Sequence, residues 1–185
     1  MSNKGFTLIE LVVSFFIIGL LSTLFFTYYR KGENTFALSR SAYKLVQDIR
    51  RVQAMAMSVK SCSECGGIVP PGYGIFFDTV WSKKKYRLYA DTYPLLGNDF
   101  FTSDDKIVEP PYIELEKGVI IKTMTIPGNT NIISISFRPP DPKIKIKENE
   151  ISSGVDEVII TLALESDQTK TKSVKINTFG SIGVE

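Results

Sequence analysis

Hydrophobic and polar positions divide the chain into three textures. Phe6 to Phe26 is an almost unbroken apolar run with a single charge, Glu10. Taken as a helix at about 1.5 Å per residue, it spans about 30 Å, the thickness of a bilayer's hydrocarbon core. From Glu33 the pattern turns periodic. Leu38, Ala42, Leu45, Ile49, Val52, Ala56 and Val59 recur at alternating spacings of four and three, which makes one apolar stripe. Neither proline nor glycine interrupts Glu33 to Lys60, so residues 33–59 are expected to stay helical. Gly32, at the junction, is a hinge or a tolerated residue costing about 1 kcal/mol relative to alanine. A helix continuous from Phe6 to Val59 would be about 80 Å long. A coiled coil would have a thin seam, with alanine at two of the stripe positions, so packing onto a β-sheet is the expected use.

The third texture begins at Tyr73, after the loop-forming run Ser61 to Gly67 and Pro70-Pro71-Gly72. Strands are expected at Tyr73–Phe77, Lys85–Ala90, Tyr112–Lys122, Asn131–Phe137, Lys143–Lys147, Glu157–Leu164, Lys172–Asn177 and Ile182–Val184. Alternation is plainest where Val158, Ile160, Leu162 and Leu164 share a face. In Lys143-Ile144-Lys145-Ile146-Lys147 the lysines point one way, as a basic ridge or, the commoner arrangement, as guards of an exposed edge strand. A long helix followed by antiparallel strands is an α+β chain, the helix packed on a β-sheet or sandwich.

Composition narrows the function. Of the 185 residues, about 125 follow the helix, enough for one compact domain. The net charge of +2 hides a split: seven Lys and Arg stand against three Asp and Glu before Lys60, and fifteen against seventeen from there on. A nucleic-acid reader would gather its basic residues on the exposed domain, which this chain does not do. Histidine is absent. That removes Ser-His-Asp triads, Cys-His dyads and histidine-ligated zinc, and an enzyme is not expected.

Glu10 is the anomaly. A carboxylate at membrane depth costs about 3 kcal/mol, so it signals function, and no cation lies between Lys4 and Arg30 to pair with it. Lys4-Gly5-Phe6-Thr7-Leu8-Ile9-Glu10-Leu11 resembles the processing site of type IV prepilins and type II secretion pseudopilins. The resemblance implies that a prepilin peptidase cuts after Gly5 and methylates the new amino terminus at Phe6. Glu10 would then meet that ammonium on a neighbouring subunit, with Thr7 in the same assembly motif and Gly19 as a small helix-packing residue. A proline common later in pilin helices is replaced by Thr27, which leaves local unwinding without its usual cause. The implied organisation is a cleaved leader at 1–5, a membrane and assembly helix at 6–30, an amphipathic helix at 31–60 and a β-rich head at 61–185. The implied location is a single-pass inner membrane protein with an extracytoplasmic head, later incorporated in a filament. Its partners would be other subunits, the peptidase and an inner-membrane assembly platform. Charge alone barely decides the topology, since Lys4 lies on one side and Arg30 and Lys31 on the other. An ordinary signal peptide fits less well, because the run ends in Phe26-Thr27-Tyr28-Tyr29 with no small-residue cleavage site.

Three smaller features complete the reading. Cys62 and Cys65 could form a structural disulfide, remain free thiols, or join a metal or redox site, and an exported domain favours the disulfide. Asp91, Asp99, Asp104 and Asp105 make an oxygen-rich loop that suits Ca²⁺, although the spacing is not an EF-hand and a solvated connection is the commoner meaning. The order of elements, with Tyr73 to Phe77 and the closing Val174 to Ile182, resembles the H-type minor pseudopilins, whose heads are β-sandwiches. A structural filament subunit, of the minor kind, is therefore expected. The alternatives are a major pilin, or a DNA- or surface-binding tip subunit if Lys83, Lys84 and Lys85 converge with Lys143, Lys145 and Lys147.

Overall fold

The computed structural model of the chain describes residues 5, 7–108, 110–126, 128–149, 151–152 and 154–185. One helix, α1 (Leu8–Met57), runs for 50 residues and passes through Gly32 without a break. The chain divides into two compact units, residues 1–36 and 37–185. The second unit takes in the end of α1 because the expected stripe is buried there. Leu38, Ala42, Leu45, Ile49, Val52 and Ala56 are all in the core. Val59 is the exception. The helix stops at Met57, and Val59 turns out at φ 50° with its side chain half exposed. Val59 N–H bonds the Ala56 carbonyl and Lys60 N–H the Met55 carbonyl, the paired bonds of a Schellman cap, a place usually given to glycine. The cap, not loss of apolar pattern, ends the helix.

Among the described residues, twelve strands follow: β1 (Gly72–Asp78), β2 (Lys85–Asp91), β3 (Lys106–Ile107), β4 (Ile113–Glu114), β5 (Val119–Ile126), β6 (Gly128–Thr130), β7 (Ile132–Arg138), β8 (Asp141–Glu148), β9 (Ile151–Ser152), β10 (Glu157–Leu164), β11 (Thr171–Asn177) and β12 (Ile182–Val184). They form two antiparallel sheets. The larger is ordered β3-β2-β1-β7-β8-β9, with β4 also pairing β2; the smaller is ordered β12-β11-β10-β5-β6. The single strand expected at Tyr112–Lys122 is in fact two strands in different sheets. A turn at Glu116 to Gly118, closed by Val119 N–H on the Glu116 carbonyl, carries the chain across. Gly118 takes φ 80° there, a conformation that alternation of apolar residues does not reveal.

The inner faces of both sheets and the stripe of α1 share one apolar core. Ile75, Phe77, Ile135, Phe137, Ile160, Leu162 and Val174 are fully buried within it. Each such side chain contributes about 1.5–3 kcal/mol by leaving water. Polar bonds tie the helix to the sheets around that core. Tyr86 hydroxyl donates to Asp48 Oδ2 at 2.6 Å, and Glu116 N–H donates to Ser41 Oγ. Arg50 donates to the Ile182 carbonyl, and Tyr73 hydroxyl to the Lys60 carbonyl. Strand β9 pairs with Lys147 and Glu148, and earlier in β8 the outward Ile144 N–H bonds the Thr178 carbonyl, so this edge is partly covered.

Candidate assembly site

Within the N-terminal unit, the span Leu8–Phe25 is apolar with one ionic group, Glu10. Leu8–Phe25 is long and apolar enough to cross a membrane, with a mean hydropathy of 2.4 over 18 residues and none of it buried. Its apolar side chains face all directions, the pattern of a span or of a helix buried in a bundle. Its polar side chains are turned back on the helix. Ser14 donates to the Glu10 carbonyl, Ser22 to Ile18 and Thr23 to Leu20, so these hydroxyls need no water.

Glu10 is held in the same manner. Thr7 stands just before the helix, and its N–H and hydroxyl both donate to Glu10 Oε2, at 2.9 and 2.7 Å. Glu10 N–H in turn approaches Thr7 Oγ1 at 3.4 Å. This is a capping box, the reciprocal bonding of a Thr-x-x-Glu run at a helix start. The acid also lies in the first turn, where the partial positive charge of the helix end favours it. The sequence offers no cation to Glu10, but it offers two neutral donors, and Thr7-Leu8-Ile9-Glu10 is the signal for them. Gly5 is exposed, with open space where a Cβ would stand, and so is Gly19. The expected cut and methylation involve Phe6, which lies outside the described residues.

The remaining candidates lie in the second unit. Cys62 and Cys65 are joined as a disulfide across the short 3-10 turn Ser63–Cys65, with Cα atoms 5.1 Å apart. The acidic loop does something the sequence does not announce. Residues 92–105 fold as a strap over the outer face of the larger sheet, the face turned away from the core. Phe101 packs on Phe76 and Tyr89 with ring centroids 4.8 and 5.5 Å away, and Phe100 meets Phe76 edge-on at 5.8 Å. Tyr89 crosses β1 over Gly74 to reach Ser134 Oγ at 2.6 Å; a Cβ on Gly74 would strike its ring.

The strap's acids hold it down. Asp91, fully buried, accepts the N–H groups of Asn98 and Asp99 and pairs with Arg138 at 3.4 Å. Asp99 pairs with Arg138 at 3.2 Å and accepts Ser136 Oγ. Asp105 accepts the N–H groups of Thr92, Tyr93 and Thr102 and the Thr102 hydroxyl. Asp104 alone is exposed. Burial pushes the Asp91 carboxyl up from its ordinary value, while the two backbone N–H groups pull it down. Among the described residues, no three Asp, Glu, His or Cys side chains come together as a group able to hold a metal ion. Nothing local in the sequence marks Arg138, at the centre of the network, because its partners Asp91 and Asp99 lie far back in the chain.

The described lysine side chains of the two groups do not converge, and that of Lys143 lies outside the described ones. Lys83, Lys84 and Lys85 precede or open β2, whereas Lys145 and Lys147 sit on β8, with β1 and β7 between. Lys84 pairs with Glu165, Lys85 with Glu114, and Lys147 donates to the Asn98 carbonyl.

Residues 1–26 match the prokaryotic N-terminal methylation motif. No curated protein and no solved structure matches the chain. The motif, the apolar helix and the α+β layout together support the class of type IV pilin-like and pseudopilin structural subunits.

Proposed function

We propose that the chain is a minor structural subunit of a type IV pilus or type II secretion-like filament. A prepilin peptidase cuts it after Gly5 and methylates Phe6, and an inner-membrane assembly platform draws it into the filament. The observation that carries this reading is Glu10, the single acid of the apolar span Leu8–Phe25, held by Thr7 at the helix start. Thr7 supplies neutral donors, which lower the cost of an acid in lipid without cancelling its charge. The ammonium created at Phe6 of a neighbour would cancel it, and the distance from Glu10 to that end would set the axial register of the bundle.

The order of the head, strands after α1 and a closing β10-β11-β12 meander, agrees with the resemblance to H-type minor subunits that suggested this role. A DNA-binding tip is not favoured, since the lysine groups lie apart and two of those on the β2 side are neutralised by Glu114 and Glu165.

Mass spectrometry of the protein purified from its membranes should find a chain starting at Phe6 with one added methyl group. Gly5→Glu should leave the chain uncut. Glu10→Val should be cut and stable yet absent from sheared filaments. Incorporation of Glu10→Val at the wild-type level would refute the pairing.

A further inference from the structure

The second unit carries an apolar turn at one end. Between β1 and β2, Val80 is 75% exposed and Trp81 51%, with the Tyr112 ring 6.3 Å from that of Trp81. Hydrogen bonds hold the turn. Asp78 Oδ1 accepts the N–H groups of Val80 and Trp81, Ser82 N–H bonds the Asp78 carbonyl, and Ser82 Oγ accepts Lys84 N–H. The Arg87 guanidinium lies against Trp81 at 4.4 Å and braces the ring, which still leaves half of the side chain in water. Folding therefore keeps two large apolar side chains out in solvent among lysines, and such patches mark contact surfaces.

The position of the turn says what covers it. Bonds between α1 and the sheets step along the helix: Tyr73 hydroxyl to the Lys60 carbonyl, Tyr86 hydroxyl to Asp48, Lys44 to the Glu114 carbonyl, and Glu116 N–H to Ser41 Oγ. Leu115 N–H bonds the Lys84 carbonyl, and Lys85 pairs with Glu114 across β2 and β4. The turn thus sits level with the first part of α1 in this unit, at the end where the chain enters it at Ala37. Ala37 follows Phe25, the last residue of the apolar span, by twelve residues, which reach at most about 40 Å however they are arranged. On so short a tether, a bilayer crossed by the span is met at an effective concentration in roughly the millimolar range, and a weak affinity suffices.

The composition of the turn fits that surface. Tryptophan and tyrosine favour the head-group layer, where one end of the ring system is apolar and the other wet. Residues 79–85 hold three lysines and no acid. The acids nearby are engaged, Glu165 by Lys84, Glu114 by Lys85 and Glu116 by Arg40. Lys83 and Arg87 are left without a carboxylate among the described residues, so the turn favours an anionic surface. We propose that the turn at residues 79–85 docks the head on the interface of an anionic bilayer, Val80 and Trp81 entering the head-group layer and Lys83 meeting lipid phosphates. This contact rests on the anchoring of the chain by Leu8–Phe25 and adds to it.

Trp81 is the chain's one tryptophan, so its fluorescence reports on the turn directly. The full chain would be reconstituted in vesicles of phosphatidylcholine and phosphatidylglycerol, with and without lipid brominated on the upper acyl chain. Quenching of Trp81 by the brominated lipid is expected, together with protection from iodide present on both sides. Lys83→Gln should lower the ratio of docked to free turn about fivefold. Val80→Asp should remove most of the quenching. Leu95→Asp, at an exposed site beyond the far end of β2, should leave it unchanged. All three positions are exposed, so the variants keep the fold. Flotation with the vesicles after an alkaline wash reads the anchoring separately. A chain that does not float overturns the anchoring and the docking together. A chain that floats with Trp81 open to iodide and untouched by brominated lipid overturns the docking alone. Protection from iodide that grows with the protein-to-lipid ratio, without quenching by brominated lipid, assigns the turn to a second copy and overturns it too. So does quenching that survives Val80→Asp or is lost equally in Leu95→Asp.

Discussion

At the scale of single residues, the head is secured by polar groups placed where water cannot reach them. Burial pushes the Tyr86 phenol far up, aided by the Asp48 carboxylate that its hydroxyl bonds. Tyr89 is pushed well up by burial, and Tyr73 is raised by burial and by Glu64. A phenol whose value is raised in the fold adds stability that is complete below its unfolded value and is lost as pH climbs above it. The fold should therefore weaken above about pH 10, by up to about 1.4 kcal/mol per pH unit for each phenol still protonated only when folded. Urea midpoints of the detergent-held chain between about pH 9 and pH 11 would show the slope. Tyr86→Phe should flatten it by one phenol's share, at the cost of a lost hydrogen bond worth about 1–2 kcal/mol at neutral pH. An unchanged slope in that variant would place the Tyr86 hydroxyl in water.

Elements differ in how far their sequence betrays them. The stripe from Leu38 to Ala56 and the alternation from Val158 to Leu164 are legible because one face of each is buried and the other is not. Periodicity reports such one-sided burial directly. It fails at Glu116 to Gly118, where a run of strand-forming residues changes sheets, and at the strap, which has no period at all. The strap's composition advertises oxygen ligands, yet what holds it is Arg138 on β7, a partner visible only after folding. The Thr7–Glu10 box is written locally, in a Thr-x-x-Glu run whose two neutral donors need no distant partner. Arg138→Met should leave Asp91 and Asp99 without their cation. Because Arg138 is 34% exposed, the expected loss is about 2–3 kcal/mol, less than for a fully buried pair. Limited proteolysis should then cut first near the exposed Leu95 and Leu96. Wild-type resistance at that loop would assign the strap's hold to Phe100, Phe101, Lys147 and the Asp105 bonds, without Arg138.

For the molecule as a whole, the sheets set an order of completion. The larger sheet needs nothing beyond β9, whereas β5 finds its long partner only in β10, and β11 and β12 add to that strand in turn. A chain ended after Leu164 would lack Val174, Ile176 and Ile182 from the core. It should lose cooperative unfolding, which a thermal melt followed by near-ultraviolet circular dichroism would show as a broad drift in place of a step.

The crossing at Gly118 thus has a temporal meaning. During synthesis at about 5–20 residues per second, β5 emerges roughly two to eight seconds before β10 is complete, with its hydrogen-bonding edge open to any passing strand. Chaperone dependence and misassembly of this protein should follow the speed at which its C-terminal third is delivered, whatever the stability of the finished head.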